Sequence, residues 1–192
     1  MTFEAIIQEY SKAVIESGFV SKVGGLAQVA NVSTAGGNQT IVSAKLFPFE
    51  SGTYATISPD KKETGIAFWR ASPTRITRQS AYLSEHQNTV TLTVWVNGDK
   101  VKLSSDMDAV MYLQKLIVGH RPQIDSNSPY RKVSMEFIGD SLGEVVTGYG
   151  WDGLNFKYHE HPHRLFNLQF RFSAFVGAGC ATPTFNIVSP VC

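Results

Sequence analysis

Leu165-Phe-Asn-Leu-Gln-Phe-Arg-Phe-Ser-Ala-Phe-Val176 is the stretch that decides the fold class. Phe166, Leu168, Phe170, Phe172, Ala174 and Val176 fall on one side of a period-2 strand. Asn167, Gln169, Arg171 and Ser173 fall on the other. Six apolar positions in register predict a long strand with one buried and one polar face. Such a half-wet strand belongs to an antiparallel or mixed sheet, not to the doubly covered parallel sheet of most α/β enzymes. Thr89–Val96 repeats the pattern, with Val90, Leu92, Val94 and Val96 on one face and Thr91, Thr93 and Trp95 on the other.

Two segments change the period to that of a helix. Phe3, Ile6, Ile7, Tyr10, Ala13 and Val14 form one stripe; Thr2 is placed to cap it, and Gly18 sits where a helix end wants positive φ. Its polar side, with Glu4, Glu9, Lys12 and Glu16, is mixed in sign. Ser104 or Ser105 can cap a second helix, with Asp106 and Asp108 in its first turn. Met107, Val110, Met111, Leu113, Leu116 and Ile117 give that helix a broad apolar side, closed by Gly119 and Pro122.

Strand and turn texture fills most of what lies between. Leu26–Val32 and Thr40–Phe47 flank Ala35-Gly36-Gly37-Asn38, a hairpin signal, and Pro48 ends the pair because it lacks a ladder donor. Tyr54–Ile57, Gly65–Trp69 and Val133–Ile138 read as further strands, and Lys100–Leu103 as a short return after an Asn97-Gly98 turn. Ala71–Gln87, carrying Arg75 and Arg78 just after Arg70, reads as a surface loop, or as an extended arm reaching a neighbouring subunit. On the second reading the arginines line a contact or touch phosphate. Gly139–His163 reads as an irregular stretch leading into the closing strand.

The order of elements predicts an α+β fold: one domain over residues 1–176, two amphipathic helices on a mostly antiparallel or mixed sheet, and an extended tail over 177–192. A chain of 192 residues is long enough for a hydrophobic core. Charged residues make up 17% of the chain, below the roughly 25% usual for soluble domains, so its surfaces suit contact with other protein. A net charge of +1 leaves no electrostatic footprint for nucleic acid in the composition. Met1-Thr2-Phe3-Glu4 does not read as a signal peptide, and no apolar run approaches the ~20 residues that span a bilayer. Cys180 and Cys192 lie close enough in sequence to pair, although two reduced thiols are expected of an intracellular product.

Three groups of residues invite a chemical reading. Gly139-Asp140-Ser141-Leu142 resembles the block that names the GDSL hydrolases. That resemblance implies a serine esterase, with Ser141 as nucleophile after a strand and at the start of a helix, His163 as base and Glu160 as its orienter. Only about fifty residues follow Ser141, too few for the βα units that carry the family's oxyanion donors. A turn after a strand accounts for the same four residues. In an extended segment His159, His161 and His163 share a face and could offer three imidazoles to a metal; Pro162 and their single-segment origin favour a surface loop instead. Trp69, Trp95 and Trp151 read as core or interface, since no basic residues interleave with them as in a stacking platform. No catalytic, cofactor or metal residue is therefore assigned.

In order of elements, Phe3–Val14, Val90–Val96, Ser105–Ile117 and Leu165–Val176 resemble the tail-terminator and head–tail completion (neck) proteins of tailed bacteriophages. The resemblance implies a virion protein assembled in the host cytoplasm, a homo-oligomeric ring, commonly a hexamer, between tail-tube and neck or connector proteins. DNA would pass through the ring without sequence-specific binding. It implies no cofactor and no membrane. The esterase is the alternative.

Overall fold

Strands β7 (Leu83–Asn97) and β9 (His163–Gly177) pair antiparallel over their full fifteen-residue lengths and form the spine of the sheet. They belong to a computed structural model that describes residues 2–34, 37–47, 54–57, 62–102, 105–126, 128–142 and 163–177. The other strands are β1 (Lys22–Leu26), β2 (Gln28–Thr34), β3 (Gly37–Phe47), β4 (Tyr54–Thr56), β5 (Gly65–Ala71), β6 (Arg75–Gln79) and β8 (Tyr130–Leu142). The sheet runs β2-β3-β1-β5-β7-β9-β8, with β4 added to β3 and β6 to β7. All described pairings are antiparallel except β1 with β5. The α+β class expected from the sequence is the one observed.

Alternation in β9 and β7 determines where the core lies. Phe166, Leu168, Phe170 and Ala174 are buried beside Val90, Leu92, Val94 and Val96, and helices α1 (Phe3–Glu16) and α2 (Asp106–Gly119) cover that face. Ile6, Ile7 and Val14 of α1 lose all their exposure, each contributing roughly 1.5–3 kcal/mol of apolar burial. Thr2 caps α1 by accepting from the Ala5 amide at 3.2 Å; Ser105 caps α2 by accepting from the Asp108 amide at 3.1 Å. Gly18, at φ 72°, releases the chain after α1 in a conformation other residues resist. Trp69 ties this layer to the sheet: its indole N–H donates to Ser11 Oγ at 3.0 Å, and that hydroxyl donates to the Ile7 carbonyl at 3.0 Å.

Several expectations need correction. Residues 71–87 are not a loop: β6 and the start of β7 form a hairpin there, closed by Ser80 and Leu83 through paired bonds of 2.8–3.1 Å. The hydroxyl of Ser80 substitutes for turn glycine, so composition hid the hairpin. Nor is the segment a free arm, because β6 pairs with its own chain. Among described residues, 100–102 form a turn rather than a returning strand, with Lys100 and Val101 amides donating to the Asn97 carbonyl. Gly139–Leu142 is not a turn or the start of an irregular stretch but the end of β8, laddered to β9. Met111, expected on the apolar side of α2, is exposed, as is Tyr112. The second sheet face is also not wet throughout. Ala44, Ile57, Ile66, Phe68 and Trp95 form a smaller buried cluster there, where β3 and β4 fold over one end. Residues 178–192, Trp151, Glu160 and the Ala35-Gly36 turn lie outside the described residues. Thr34 does pair with Gly37, so the expected hairpin is present with shifted bounds.

His120 caps α2 with its ring edge-on to Tyr10, centroids 5.2 Å apart, and its Nε2 is buried without a hydrogen-bond partner among the described residues. Burial holds its imidazole below the ordinary value of 6.5; Glu9 and Glu16 oppose that shift, whereas Arg121 and Lys12 reinforce it. A lowered folded-state value means the unfolded chain binds more protons in that window. Stability is therefore intact above about pH 6.5 and falls as pH drops below it. We expect Tm to decline on acidification from pH 7 to 5, and His120→Gln to flatten that decline, as a calorimetric pH series would show.

No helix among the described residues is long and apolar enough to cross a membrane.

Candidate functional site

Register places the polar residues of five strands on one surface. Across β6, β7, β9 and β8, Arg75 faces Gln87, Gln87 faces Ser173, and Ser173 faces Ser134. The next row holds Thr89, Arg171 and Glu136; the row beyond holds Arg70, Thr91 and Gln169. Opposed residues in a ladder share a face, so these side chains lie opposite the helices. Arg78 beside Glu85, and Lys132 beside Phe175, extend the same face outward. In the other direction the rows become buried: Thr93 Oγ1 donates to Asn167 Oδ1 at 2.6 Å, and Trp95 packs against Phe68. One end of the face is thus a closed cluster and the other a basic surface.

Among described residues this basic end carries Arg70, Arg75, Arg78, Arg171 and Lys132 against Glu85 and Glu136. Arg171 Nη1 bonds Glu136 Oε2 at 2.8 Å, and Arg78 Nε lies 3.6 Å from Glu85 Oε2. Both pairs are open to solvent on at least one side and contribute at most about 1 kcal/mol each. Burial lowers the Arg70 guanidinium to about 10, which leaves it charged at neutral pH. Between β6 and β9 lies a groove of about 440 Å³, lined by Ser72, Arg75, Thr77, Gln87, Thr89 and Arg171 among others. Guanidinium forks flanked by neutral donors are suited to oxyanions, carboxylate or phosphate, which they hold bidentately.

The sequence-derived candidates are placed differently. Arg70, Arg75 and Arg78, read as a loose string, come together on one face; Arg171, read only as a polar strand position, joins them. Lys132 carries no signal in the sequence, because its strand continues through the Val133–Ile138 run without marking its face. Ser141 lies within β8 opposite Asn167, four residues along β9 from His163. Four residues of strand span ~13 Å, so these backbone positions do not bring a nucleophile and base together. The strand-to-helix turn on which the hydrolase resemblance relied is not formed by Ser141. A different serine–histidine pair does form: Ser84 Oγ and His86 Nε2 lie 2.8 Å apart on β7. Among the described residues no carboxylate orients the other ring nitrogen of His86, and Ser84 also reaches the Val176 carbonyl at 3.5 Å. Of the clustered histidines, His159 and His161 lie outside the described residues and His163 opposes Asn97 in the ladder. No group of three metal-ligating side chains occurs among the described residues.

A scan against protein-family models and a search of curated proteins each return no match to this chain.

Proposed function

We propose that this chain is a structural subunit of a tailed-phage virion, closing into a ring at the neck or head-proximal end of the tail, with DNA passing through the lumen. Two open strand edges support the reading. At the hairpin end the sheet runs β6-β7-β9-β8, and among the described residues neither the outer edge of β6 nor that of β8 has a strand partner. An unpaired edge is a template for another chain. The two edges are different surfaces on opposite sides of one sheet, which is the requirement for a head-to-tail, closed rotation. Both carry an apolar residue in solvent: Ile76 on β6 is 57% exposed and Ile138 on β8 is 42% exposed. Tyr82 at the hairpin tip is 84% exposed. Apolar residues on open edges favour coverage in an assembly.

On this reading the mechanism is geometric. Edge-to-edge closure holds the subunits, the helix layer faces one way and the wet sheet face the other, and no bond is made or broken. Light scattering on the purified chain tests it: a mass several times 21.1 kDa supports the ring, and a single-copy mass at every concentration opposes it.

A further inference from the structure

We infer that the basic sheet face, centred on the Arg75–Arg171 groove, holds the phosphate backbone of duplex DNA without reading its bases. The inference deepens the ring reading and rests on it only for where the duplex comes from. Joining sheets edge to edge around a closed ring turns one sheet face toward the lumen and the other outward. Helices α1 and α2 cover one face; with that layer turned outward, the face toward the lumen is the one bearing Arg70, Arg75, Arg78, Arg171 and Lys132.

Charge, donor type and the lining of the groove each favour that occupant. The chain as a whole is nearly neutral at +1, yet five cations meet two carboxylates on this surface among the described residues. The fold gathers a basic stripe that composition does not show, and such a stripe is the footprint of a phosphate backbone. Arg75 is exposed and has no ion-pair partner among the described residues; Arg171 shares the groove with it, alongside the hydroxyls of Ser72, Thr77 and Thr89. Phosphate contacts of this kind position a duplex without specifying sequence. Phe68 and Trp95 are buried at the closed end of this face, and Phe175 opposes Lys132 outside the groove; no aromatic side chain lines the groove itself, so it offers unpaired bases nothing to stack on. A duplex is therefore favoured over a single strand. The carboxylates Glu136 and Glu85 shield two of the arginines and keep the grip weak, as passage through a lumen requires.

The test is fluorescence anisotropy of the full chain with a labelled duplex of arbitrary sequence, titrated across salt concentration. Wild type is expected to bind measurably at low salt, with affinity falling linearly on a log–log salt plot. Arg75→Gln with Arg171→Gln should weaken binding at least tenfold and reduce the slope by about two, one for each phosphate no longer neutralised. The Lys-for-Arg double variant should restore most of the affinity, and Lys12→Gln on α1 should change it less than twofold. Matching circular dichroism and Tm would show that the glutamine variants are folded. No binding at low salt, binding indifferent to Arg75 and Arg171, or preference for a single strand or for polyglutamate over the duplex would each overturn the inference. Light scattering on the same sample separates the two claims. Rings that ignore DNA sink only this one, whereas monomers that bind it through these arginines sink only the ring.

Discussion

Trp69→Ala is expected to lower stability by about 3–5 kcal/mol, or roughly 6–20 °C in Tm for a domain of this size. Trp69 is fully buried, tilted against Phe170 and edge-on to Tyr10, with ring centroids 6.2 and 6.4 Å away. It bridges α1 to the centre of the sheet, so truncation opens a cavity between two layers that cannot close independently. It also removes the indole N–H that the Ser11 hydroxyl accepts inside the core, leaving that hydroxyl only its bond to the Ile7 carbonyl. Thermal denaturation of the variant beside Ser11→Ala separates the two contributions. Ser11→Ala should cost only about 1–3 kcal/mol, because the volume remains filled and one donor is left unmet. A Trp69→Ala loss no larger than that of Ser11→Ala would mean the helix layer does not depend on this contact.

Charging both open edges, Ile76→Lys with Ile138→Lys, is expected to release assembled rings into single subunits. Lysine on an edge strand is a common natural guard against edge pairing. Both positions are solvent-exposed in the isolated chain, so the substitutions leave the core untouched and should shift Tm little. In a head-to-tail seam each of the joined edges then carries a lysine, so the double variant adds like charge to the removal of apolar burial. At least a tenfold rise in the concentration for half-assembly is expected, equivalent to about 1.4 kcal/mol per seam. Sedimentation velocity over a dilution series reads it. Unchanged assembly by a folded double variant would place the subunit interface elsewhere.

The spine of the fold was legible because it depends on one periodicity. Phe166 to Ala174 and Val90 to Val96 alternate without interruption, and the pairing of β7 with β9 follows from two apolar faces of matching length. Both helix caps were readable for a similar reason, since a single hydroxyl decides each. The β6–β7 hairpin was not legible: residues 71–83 are all exposed, so no burial pattern marks β6, and its turn is closed by a serine rather than glycine. Gly139–Leu142 misled because turn-forming residues there continue a ladder already fixed by Phe170 and Phe172 across the seam. The basic face was hidden for a deeper reason. Arg75 and Arg171 are 96 positions apart in the chain, and only the register of β6 on β7 and β7 on β9 brings them to one groove. The sequence shows that each lies on a strand's polar side or in a polar stretch, but not that the two strands share a surface.

Closure of this chain on copies of itself through two different edges is the central claim. Negative-stain imaging of the fraction whose mass exceeds one subunit tests it most directly. Closed rings with rotational symmetry and a central opening are expected, at a mass near six copies of 21.1 kDa if the ring is a hexamer. Isolated subunits, or isologous pairs with no opening, would contradict it.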